Sequence, residues 1–251
     1  MIEGLDRSGK TTQVKRLCDA LYADGFNIKP LRFPGTTISF MCYWISRIML
    51  IKLDRTTPIG QKINSYLQSE THMDDHSIHL LFSANRWEKA KWIRDTIAEG
   101  YTIICDRYVY SGMIYSAAKN NPHLSLEWAR HCDEGLPRPD MVIFLDLELE
   151  EVEKRGGFGQ EKYEKRELQE RVKQLFLALK HAQGDEVEDM EVLDAGHSIE
   201  KVAEAVWWQA VTRIQAVESG CFRELQVVRP WQQGIVQKIP ELRKMVHGEA
   251  E

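Results

Sequence analysis

The sequence predicts an α/β fold in which a central parallel sheet of five strands lies between two layers of helices. Two observations predict it: short apolar runs alternate with helix-length segments, and a phosphate-binding motif opens the chain. The length of 251 residues, of which 43% are hydrophobic, suits one large domain of this class.

The phosphate-binding motif is the segment 4–11, GLDRSGKT, which matches G-x-x-x-x-G-K-[ST]. Gly4 and Gly9 allow the loop to turn its N–H groups toward phosphate oxygens. Lys10 can reach the β- and γ-phosphates, and the Thr11 hydroxyl can ligate Mg²⁺. The alternative is a chance match in a glycine-containing loop. The motif predicts a three-layer P-loop NTPase fold, and because only three residues precede Gly4, we expect its first strand to be truncated.

The remaining elements follow in chain order. Val14, Leu17 and Leu21 recur at helical spacing and predict a first helix over 10–23, which ends before Gly25. The apolar runs 101–105 and 141–147 are typical of buried central strands. A strand is also predicted at 27–33 and a weaker one at 191–193, with further helices at 57–68, 76–99, 109–119, 126–132, 165–183 and 198–218.

The overall charge and the cysteines exclude some classes of protein. A formal net charge of −5 argues against bulk electrostatic binding to nucleic acid or to an anionic membrane. The five cysteines are scattered without a C-x-x-C pair, so we expect reduced thiols in a reducing compartment. Because the phosphate loop opens the chain, we expect no secretory signal and a cytoplasmic location, with the nucleus as a second candidate.

The segment 36–53 is apolar enough to be mistaken for a membrane span. Its uncharged stretch stops at Arg47, and Lys52 follows. A span needs about 20 apolar residues, so we expect a partly buried or interfacial helix instead.

A polar cluster, Asp106-Arg107-Tyr108, directly follows the predicted strand 101–105. Ligands collect at the carboxyl ends of strands in such sheets. Asp106 is therefore placed to hold a Mg²⁺ shell or to orient an attacking oxygen, and Arg107 suits a bidentate grip on phosphate. The alternative is a surface ion pair.

A third cluster lies within the predicted helix 76–99. Phe82 and Arg86 are four residues apart and share one helical face, so a ring and a guanidinium could recognise a planar base. The alternative is that Phe82 belongs to the core and Arg86 only forms a salt bridge. The nearby His72, His76 and His79 resemble metal ligands, but their spacing favours polar roles at a helix end.

The segment 155–164, RGGFGQEKYE, has three glycines in five residues between two helical patterns. Glycine there permits hinge motion, which suggests an active-site lid that excludes water from the phosphates. The alternative is a plain turn between helices.

Together these motifs closely resemble the thymidylate kinase family of the eukaryotic type, over about residues 2–208 apart from one gap. The family transfers the γ-phosphoryl group of ATP to dTMP, giving dTDP, with Mg²⁺ and as a homodimer. The resemblance implies the same reaction here, with no nucleic acid or membrane partner. The motifs that carry it are EGLDRSGKTTQ (3–13), LRFP (31–34), DRTTPIG (54–60), DHSIHLLFSANRWE (75–88), CDRYVYSG (105–112), GLPRPD (135–140) and RGGFGQEKYE (155–164).

The resemblance assigns roles to residues of this chain. Arg7, Lys10 and Asp106 would be catalytic, with Arg7 stabilising the transferred phosphoryl group and with Thr11 and Asp106 near the metal. ATP would contact Gly4, Ser8, Gly9, Lys10, Thr11, Thr12, Arg155 and, near the adenine, His197. The acceptor would contact Asp6 (3′-hydroxyl), Phe33, Arg55 and Arg107 (phosphate), Phe82 and Arg86 (thymine), Ser111, Gly112, and Tyr115 and Tyr163 beside the sugar.

Two departures from the family pattern stand out. In the family the strand that ends in Phe-Pro runs into an acidic residue and the phosphate-binding arginine, whereas here the atypical segment 35–53 separates Pro34 from Asp54-Arg55. The short first strand is the second departure. One hypothesis explains both: a retained intron and a start codon chosen too late.

The sequence leaves other functions open. A deoxynucleoside kinase would share the phosphate loop and the Asp-Arg motif, and an inactive or mistranslated thymidylate kinase is suggested by the segment 35–53. A GTP-dependent switch is disfavoured because no N-K-x-D motif is present. The predicted organisation is a kinase domain over 1–219, with a lid at 155–164, and a C-terminal tail over 220–251.

Overall fold

The computed structural model describes residues 1–34, 57–155, 159, 161–180, 189–220 and 224–231. The predictions for the segment 35–53, for Arg55 and for the lid glycines at 156 and 157 lie outside the described residues.

A five-stranded parallel sheet forms the centre of the fold and confirms the predicted class. In chain order its strands are β1 (Ile2–Gly4), β2 (Ile28–Arg32), β3 (Thr102–Asp106), β4 (Val142–Asp146) and β5 (Met190–Asp194). Their spatial order is β2-β3-β1-β4-β5. The strands β1, β2 and β3 end at or next to residues that the sequence predicts to carry chemistry.

Helices cover both faces of the sheet, and each predicted helix is present with its ends shifted by no more than a few residues. In the described part of the chain they are α1 (Lys10–Ala23), α2 (Pro58–Leu67), α3 (Asp75–Ala98), α4 (Val109–Ala117), α5 (Leu126–His131), α6 (Leu149–Lys154), α7 (Arg166–Lys180) and α8 (Ile199–Glu218). The helical pattern before residue 155 was given no range from the sequence, because the six residues of α6 are too few for a helical periodicity to fix its ends.

Side-chain caps begin several of the helices. Thr57 accepts a hydrogen bond from Gly60 N at 3.0 Å, and Ser125 accepts one from Trp128 N at 3.1 Å. The first helix differs, because its N-cap is Gly9 in a left-handed conformation with no side-chain cap. No N-cap side chain therefore accepts hydrogen bonds from the first N–H groups of α1, which can instead bind an anion held by the phosphate loop.

The core lies on both faces of β4. Val142, Ile143, Phe144 and Leu145 are all buried, and the Phe144 ring stacks on Phe176 of α7 with a centroid separation of 4.5 Å. This packing fixes α7 against the sheet. No helix among the described residues is long and apolar enough to cross a membrane.

The first strand is short, as predicted, yet it occupies the centre of the sheet. All three of its residues pair with Ile143–Leu145 of β4, whereas only Ile2 pairs with β3, opposite Asp106. The phosphate loop therefore leaves the sheet beside the end of β3.

Part of the predicted C-terminal tail packs on the domain. Gly135 N donates to Val228 O, and Val228 N donates to Leu136 O, both at 2.9 Å. Val228 is buried, and the guanidinium of Arg130 lies 4.9 Å from the ring of Trp231. Residues 224–231 thus brace the loop that follows α5.

Candidate active site

A cavity of about 550 Å³ opens at the carboxyl ends of β1, β2 and β3. It brings together most of the residues that the sequence singled out. The predicted residues that line it are Asp6, Arg7, Gly9, Lys10, Thr11, Thr12, Phe33, Phe82, Arg86, Arg107, Ser111, Gly112, Tyr115, Arg155 and Tyr163.

Of the predicted residues that the structure describes, four do not line this cavity. Gly4 and Ser8 belong to the phosphate loop behind it, and Asp106 is fully buried between the loop and β2. His197 lies on the loop between β5 and α8, where its Nε2 is 3.5 Å from Asp194 Oδ2. Its role near an adenine stays a prediction.

The phosphate loop adopts a backbone that depends on its glycines. A Cβ on Gly4 would lie 2.6 Å from Ser8 Oγ and 2.8 Å from Leu145 O, so the loop could not pack on β4 with a larger residue there. Gly9 and Arg7 both have positive φ angles, of 97° and 63°. These turns curl the loop around the start of α1.

Lys10 is buried at the base of this loop. Its Nζ donates a hydrogen bond to Leu5 O. Burial, with the nearby positive charge of Arg107, lowers the pKa of Lys10 to about 7. An anion beside Nζ would reverse that shift by stabilising the charged amine.

Asp106 and Thr11 offer oxygen ligands beside the loop. Thr11 Oγ1 donates to Asp106 Oδ2 at 2.8 Å, and Arg32 Nε lies 3.5 Å from the same oxygen. Asp106 Oδ1 is buried and has no hydrogen-bond partner among the described residues. A hydroxyl and a carboxylate with an unused buried oxygen fit the hard, oxygen-preferring Mg²⁺ ion.

Arg107 lies at the centre of the cavity with its backbone in the left-handed region, at a φ of 62°. Its Nη2 pairs with Asp6 Oδ1, and its Nη1 donates to Ser111 Oγ at 3.1 Å. Burial would raise the pKa of Asp6, but the charges of Arg107 and Lys10 outweigh it and lower the pKa. Asp6 is therefore a charged hydrogen-bond acceptor in the cavity.

Phe82 and Arg86 line the other end of the cavity. Arg86 Nη2 lies 2.7 Å from Asp133 Oδ2, its Nε donates to Asp133 Oδ1 at 3.0 Å, and both side chains are buried. Arg86 therefore forms the salt bridge of the alternative interpretation and also lines the cavity. Gly112 leaves room for it, because a Cβ there would lie 2.6 Å from both guanidinium Nη atoms.

The segment 155–164, for which the sequence predicts a lid, contacts the phosphate loop through its first and last residues. Glu164 accepts a hydrogen bond from Arg7 Nε at 2.8 Å, and Arg155 Nη1 donates to Arg7 O at 2.7 Å. Tyr163 lies beside Tyr115, with ring centroids 5.8 Å apart. Residues of both lid ends thus reach the cavity wall.

One of the three histidines singled out near α3, His79, makes two polar contacts. His79 is fully buried, with Nδ1 2.7 Å from Ser116 Oγ and Nε2 2.8 Å from Ala129 O. Burial lowers its pKa to about 4, so it is neutral. Among the described residues, no three His, Cys, Asp or Glu side chains could together hold a metal ion.

Comparison with known proteins decides the family. A family model described as thymidylate kinase matches residues 39–206. The chain belongs to the thymidylate kinase family. It is 41% identical to human thymidylate kinase over 206 residues, which cover 82% of this chain and 86% of the human protein. It is 43% identical to the thymidylate kinase of Schizosaccharomyces pombe over 202 residues, which cover 80% of this chain and 86% of that protein.

The fold agrees with a solved thymidylate kinase structure. That structure, from Candida albicans, superposes with a TM-score of 0.69 at 35% identity and covers 91% of this chain and 96% of its own. The resemblance seen in the motifs is therefore confirmed. The family-model match begins after the phosphate loop, so the assignment of that loop rests on its sequence and geometry.

The sequence assigned no role to three residues that hold parts of this site in the thymidylate kinase family member: Arg32 and Glu164 line the cavity, and Gln169 lies behind it. Arg32 stands beside Asp106, Glu164 holds Arg7, and Gln169 binds both Asp6 and the lid. Gln169 is fully buried, and its Nε2 donates to Asp6 Oδ2 at 2.8 Å and to Tyr163 O at 2.9 Å. A buried glutamine on the apolar face of α7 is the one sequence feature that could have indicated it.

Proposed function

We propose that this chain transfers the γ-phosphoryl group of ATP to dTMP, giving dTDP. One observation carries the proposal: a single cavity has the phosphate loop at one end, the Phe82–Arg86 pair at the other and Arg107 between them. A triphosphate, an acceptor phosphate and a planar base would occupy these three parts in that order. Family membership supports the same assignment.

The acceptor would be held by its base, sugar and phosphate. Phe82 would stack on thymine and Arg86, held rigid by Asp133, would donate to its O4 edge. Arg107 would bind the phosphate, with Arg55 as the second predicted cation. Acceptor-phosphate cations distinguish this reaction from phosphorylation of a nucleoside hydroxyl.

The sugar would lie between the phosphate loop and the lid. Charged Asp6 would accept a hydrogen bond from the 3′-hydroxyl, and Tyr115 and Tyr163 would crowd the position of a ribose 2′-hydroxyl. Phe33 and Ser111 would complete the wall beside the phosphate. Deoxyribose selectivity would then come from exclusion rather than from a hydrogen bond.

The donor would be held by the loop N–H groups, Ser8, Lys10 and Thr12, with Arg155 above and His197 toward the adenine. Thr11 and Asp106 would hold Mg²⁺. When bound, that ion supplies positive charge beside the β- and γ-phosphate oxygens. Arg7 would stabilise the charge on the group in transfer, because preorganised cations act most strongly in a water-excluded site.

The segment 155–164 would act as a lid. Arg155 and Glu164, the first and last residues of this segment, already contact Arg7 of the phosphate loop. Lys162 N also donates to Leu67 O of α2 at 3.1 Å. A closed lid would exclude water that would otherwise hydrolyse the donor.

We further propose a homodimer that works in the cytoplasm, with the nucleus as the second candidate, and without nucleic acid or membrane partners. Leu80 and Trp87 support the dimer, since they are 49% and 41% exposed and lie two turns apart on α3. The proposed organisation keeps the kinase domain at 1–219, with 220–251 as an appended segment that is docked through residues 224–231.

The test is an assay with ATP and Mg²⁺ on dTMP and on thymidine, with the full chain and with a variant that lacks residues 35–53. We expect dTDP from dTMP and no product from thymidine. Lys10→Ala is the inactive control. Activity on thymidine alone would identify a deoxynucleoside kinase. A folded deletion variant without activity on dTMP would refute the proposal.

A further inference from the structure

Glu3 is a carboxylate in the middle of the central sheet, on β1, with no exposed surface. Its Oε1 accepts hydrogen bonds from Tyr108 N and Ser111 N, both at 3.1 Å. Its Oε2 accepts one from Ser111 Oγ at 2.5 Å. Carboxylates are almost never fully buried unless they are paired, so these three contacts account for its presence in the core.

The three contacts lie close to Arg107, which lines the cavity. Tyr108 directly follows Arg107, and Ser111 lies in the first turn of α4. The Ser111 hydroxyl donates to Glu3 and accepts from Arg107 Nη1 at 3.1 Å. A continuous hydrogen-bonded path therefore runs from Glu3 through Ser111 to the Arg107 guanidinium.

The backbone of Arg107 needs such support. Its φ of 62° lies in the left-handed region, which costs a non-glycine residue about 1–3 kcal/mol and persists only where neighbours hold it. Tyr108, the N-cap residue of α4, has no side-chain cap of its own, and Glu3 caps this helix from a different strand. Glu3 on β1 therefore holds both Tyr108, which follows Arg107, and Ser111 in the first turn of α4.

The electrostatics agree with this arrangement. Burial raises the pKa of the Glu3 carboxyl, while the charge of Arg107 and the hydrogen bonds from Ser111 and Tyr108 act in the opposite direction. The carboxylate is not bonded directly to the guanidinium. Glu3 therefore orients the Arg107 guanidinium without accepting a hydrogen bond from it.

We infer that Glu3 is a positioning residue for the acceptor phosphate, which fixes the Arg107 guanidinium through Ser111 Oγ and through the backbone of Tyr108 and Ser111. This inference rests on the proposed function, because it takes Arg107 as the group that binds the dTMP phosphate. It predicts an effect on ligands that carry a phosphate and none on ligands that lack it.

The test compares the binding of dTMP and of thymidine by calorimetry in the full chain and in Glu3→Gln. A misplaced catalytic or binding group costs tenfold or more, so we expect about tenfold weaker dTMP binding and thymidine binding within about twofold. The matched control is Asp140→Asn, which also changes a poorly exposed carboxylate, at the opposite end of the sheet. It should leave both affinities unchanged.

Two other outcomes of this comparison overturn the inference. Equal losses for dTMP and thymidine would make Glu3 a general structural residue. Unchanged or tighter dTMP binding would make it only a counter-charge to Arg107. A wild-type chain that does not bind dTMP at all refutes the proposed function itself, which separates the two failures.

Two further variants keep the test decisive if Glu3→Gln does not fold. Glu3→Asp retains the charge but withdraws the carboxylate by one methylene from Tyr108 and Ser111, and should show the same selective loss. In a Ser111→Ala background, the effect of Glu3→Gln on dTMP binding should shrink, because part of the path is already gone. An undiminished effect there would exclude the Ser111 path.

Discussion

Arg7 of the phosphate loop is paired with Glu164 of the lid segment, with Arg7 Nε 2.8 Å from Glu164 Oε1. Glu164 is buried, whereas Arg7 keeps 27% of its side chain exposed toward the cavity. The pair links the loop that would hold the donor phosphates to the segment that would close over them. The position of Arg7 therefore depends on the end of the segment 155–164.

Replacing Arg7 by alanine should lower kcat strongly and leave the KM for dTMP nearly unchanged. Loss of one preorganised donor to a transition-state charge costs about 10²–10³-fold in kcat. Steady-state kinetics with both substrates would measure it. Arg16→Ala is the control, since Arg16 lies on the surface of α1 in an exposed pair with Glu200. A kcat within about threefold of the wild type would contradict a role in transfer.

Replacing Gly112 by alanine should raise the KM for dTMP. The new Cβ would lie 2.6 Å from the Arg86 guanidinium, which cannot move without breaking its buried pair with Asp133. We expect about a tenfold increase, with the KM for ATP unchanged. Gly25→Ala is the control: its Cβ meets nothing within 4 Å and its φ is positive, so it should cost stability alone. Equal changes in both KM values would show a general defect instead.

ATP binding should take up a proton above neutral pH. Burial lowers the pKa of Lys10 to about 7 in the free chain, and bound phosphates would raise it. At pH 8 most Lys10 is then neutral before binding, so about one proton should enter per ATP, and affinity should fall as the pH rises.

Calorimetry in buffers of different ionisation enthalpy would measure this uptake. Lys10→Arg is the control, because arginine stays charged throughout this range and should abolish the uptake. A binding enthalpy that does not depend on the buffer in the wild-type chain would contradict the prediction.

Replacing Val228 by alanine should destabilise the domain, whereas the same change at Val227 should not. Val228 is 3% exposed and hydrogen-bonded to Leu136, while Val227 is 38% exposed. Removal of buried methyl groups from Val228 should lower the free energy of unfolding by about 1–2 kcal/mol, as measured in urea. Equal stability of the two variants would show that residues 224–231 do not contribute to the fold.

The sequence predicted what depends on local patterns. The sequence predicted both ends of the first helix correctly, because the glycines of the phosphate loop and the apolar residues of the helix are close together in the chain. The strand 101–105 led to Asp106 and Arg107 because parallel strands end at the ligand side. The family membership followed from the combination of these motifs.

Contacts between distant residues could not be predicted in this way. Nothing near Glu3 in the sequence indicates that its carboxylate meets Ser111, 108 residues later. Gln169 likewise reaches Asp6 across 163 residues. Arg86 forms the salt bridge of one interpretation and still lines the cavity, because Asp133 is not among the residues that line it; recognition of a base by Arg86 stays a prediction. No local pattern distinguishes such an arrangement from either alternative.

The pairing of β1 divides the cavity between two parts of the sheet. The phosphate loop is joined to β4 along all three residues of β1, while β3, which ends at Asp106 and pairs with β2 along its length, pairs with β1 only at Ile2. The donor would therefore be held beside the strand pair β1–β4 and the acceptor beside the pair β2–β3, and in the sheet the two pairs are joined only where Ile2 lies opposite Asp106. The pairs Arg107–Asp6 and Thr11–Asp106 join these two parts through side chains. The distance from the donor phosphate to the acceptor oxygen would then depend on these side-chain contacts more than on the pairing of the strands.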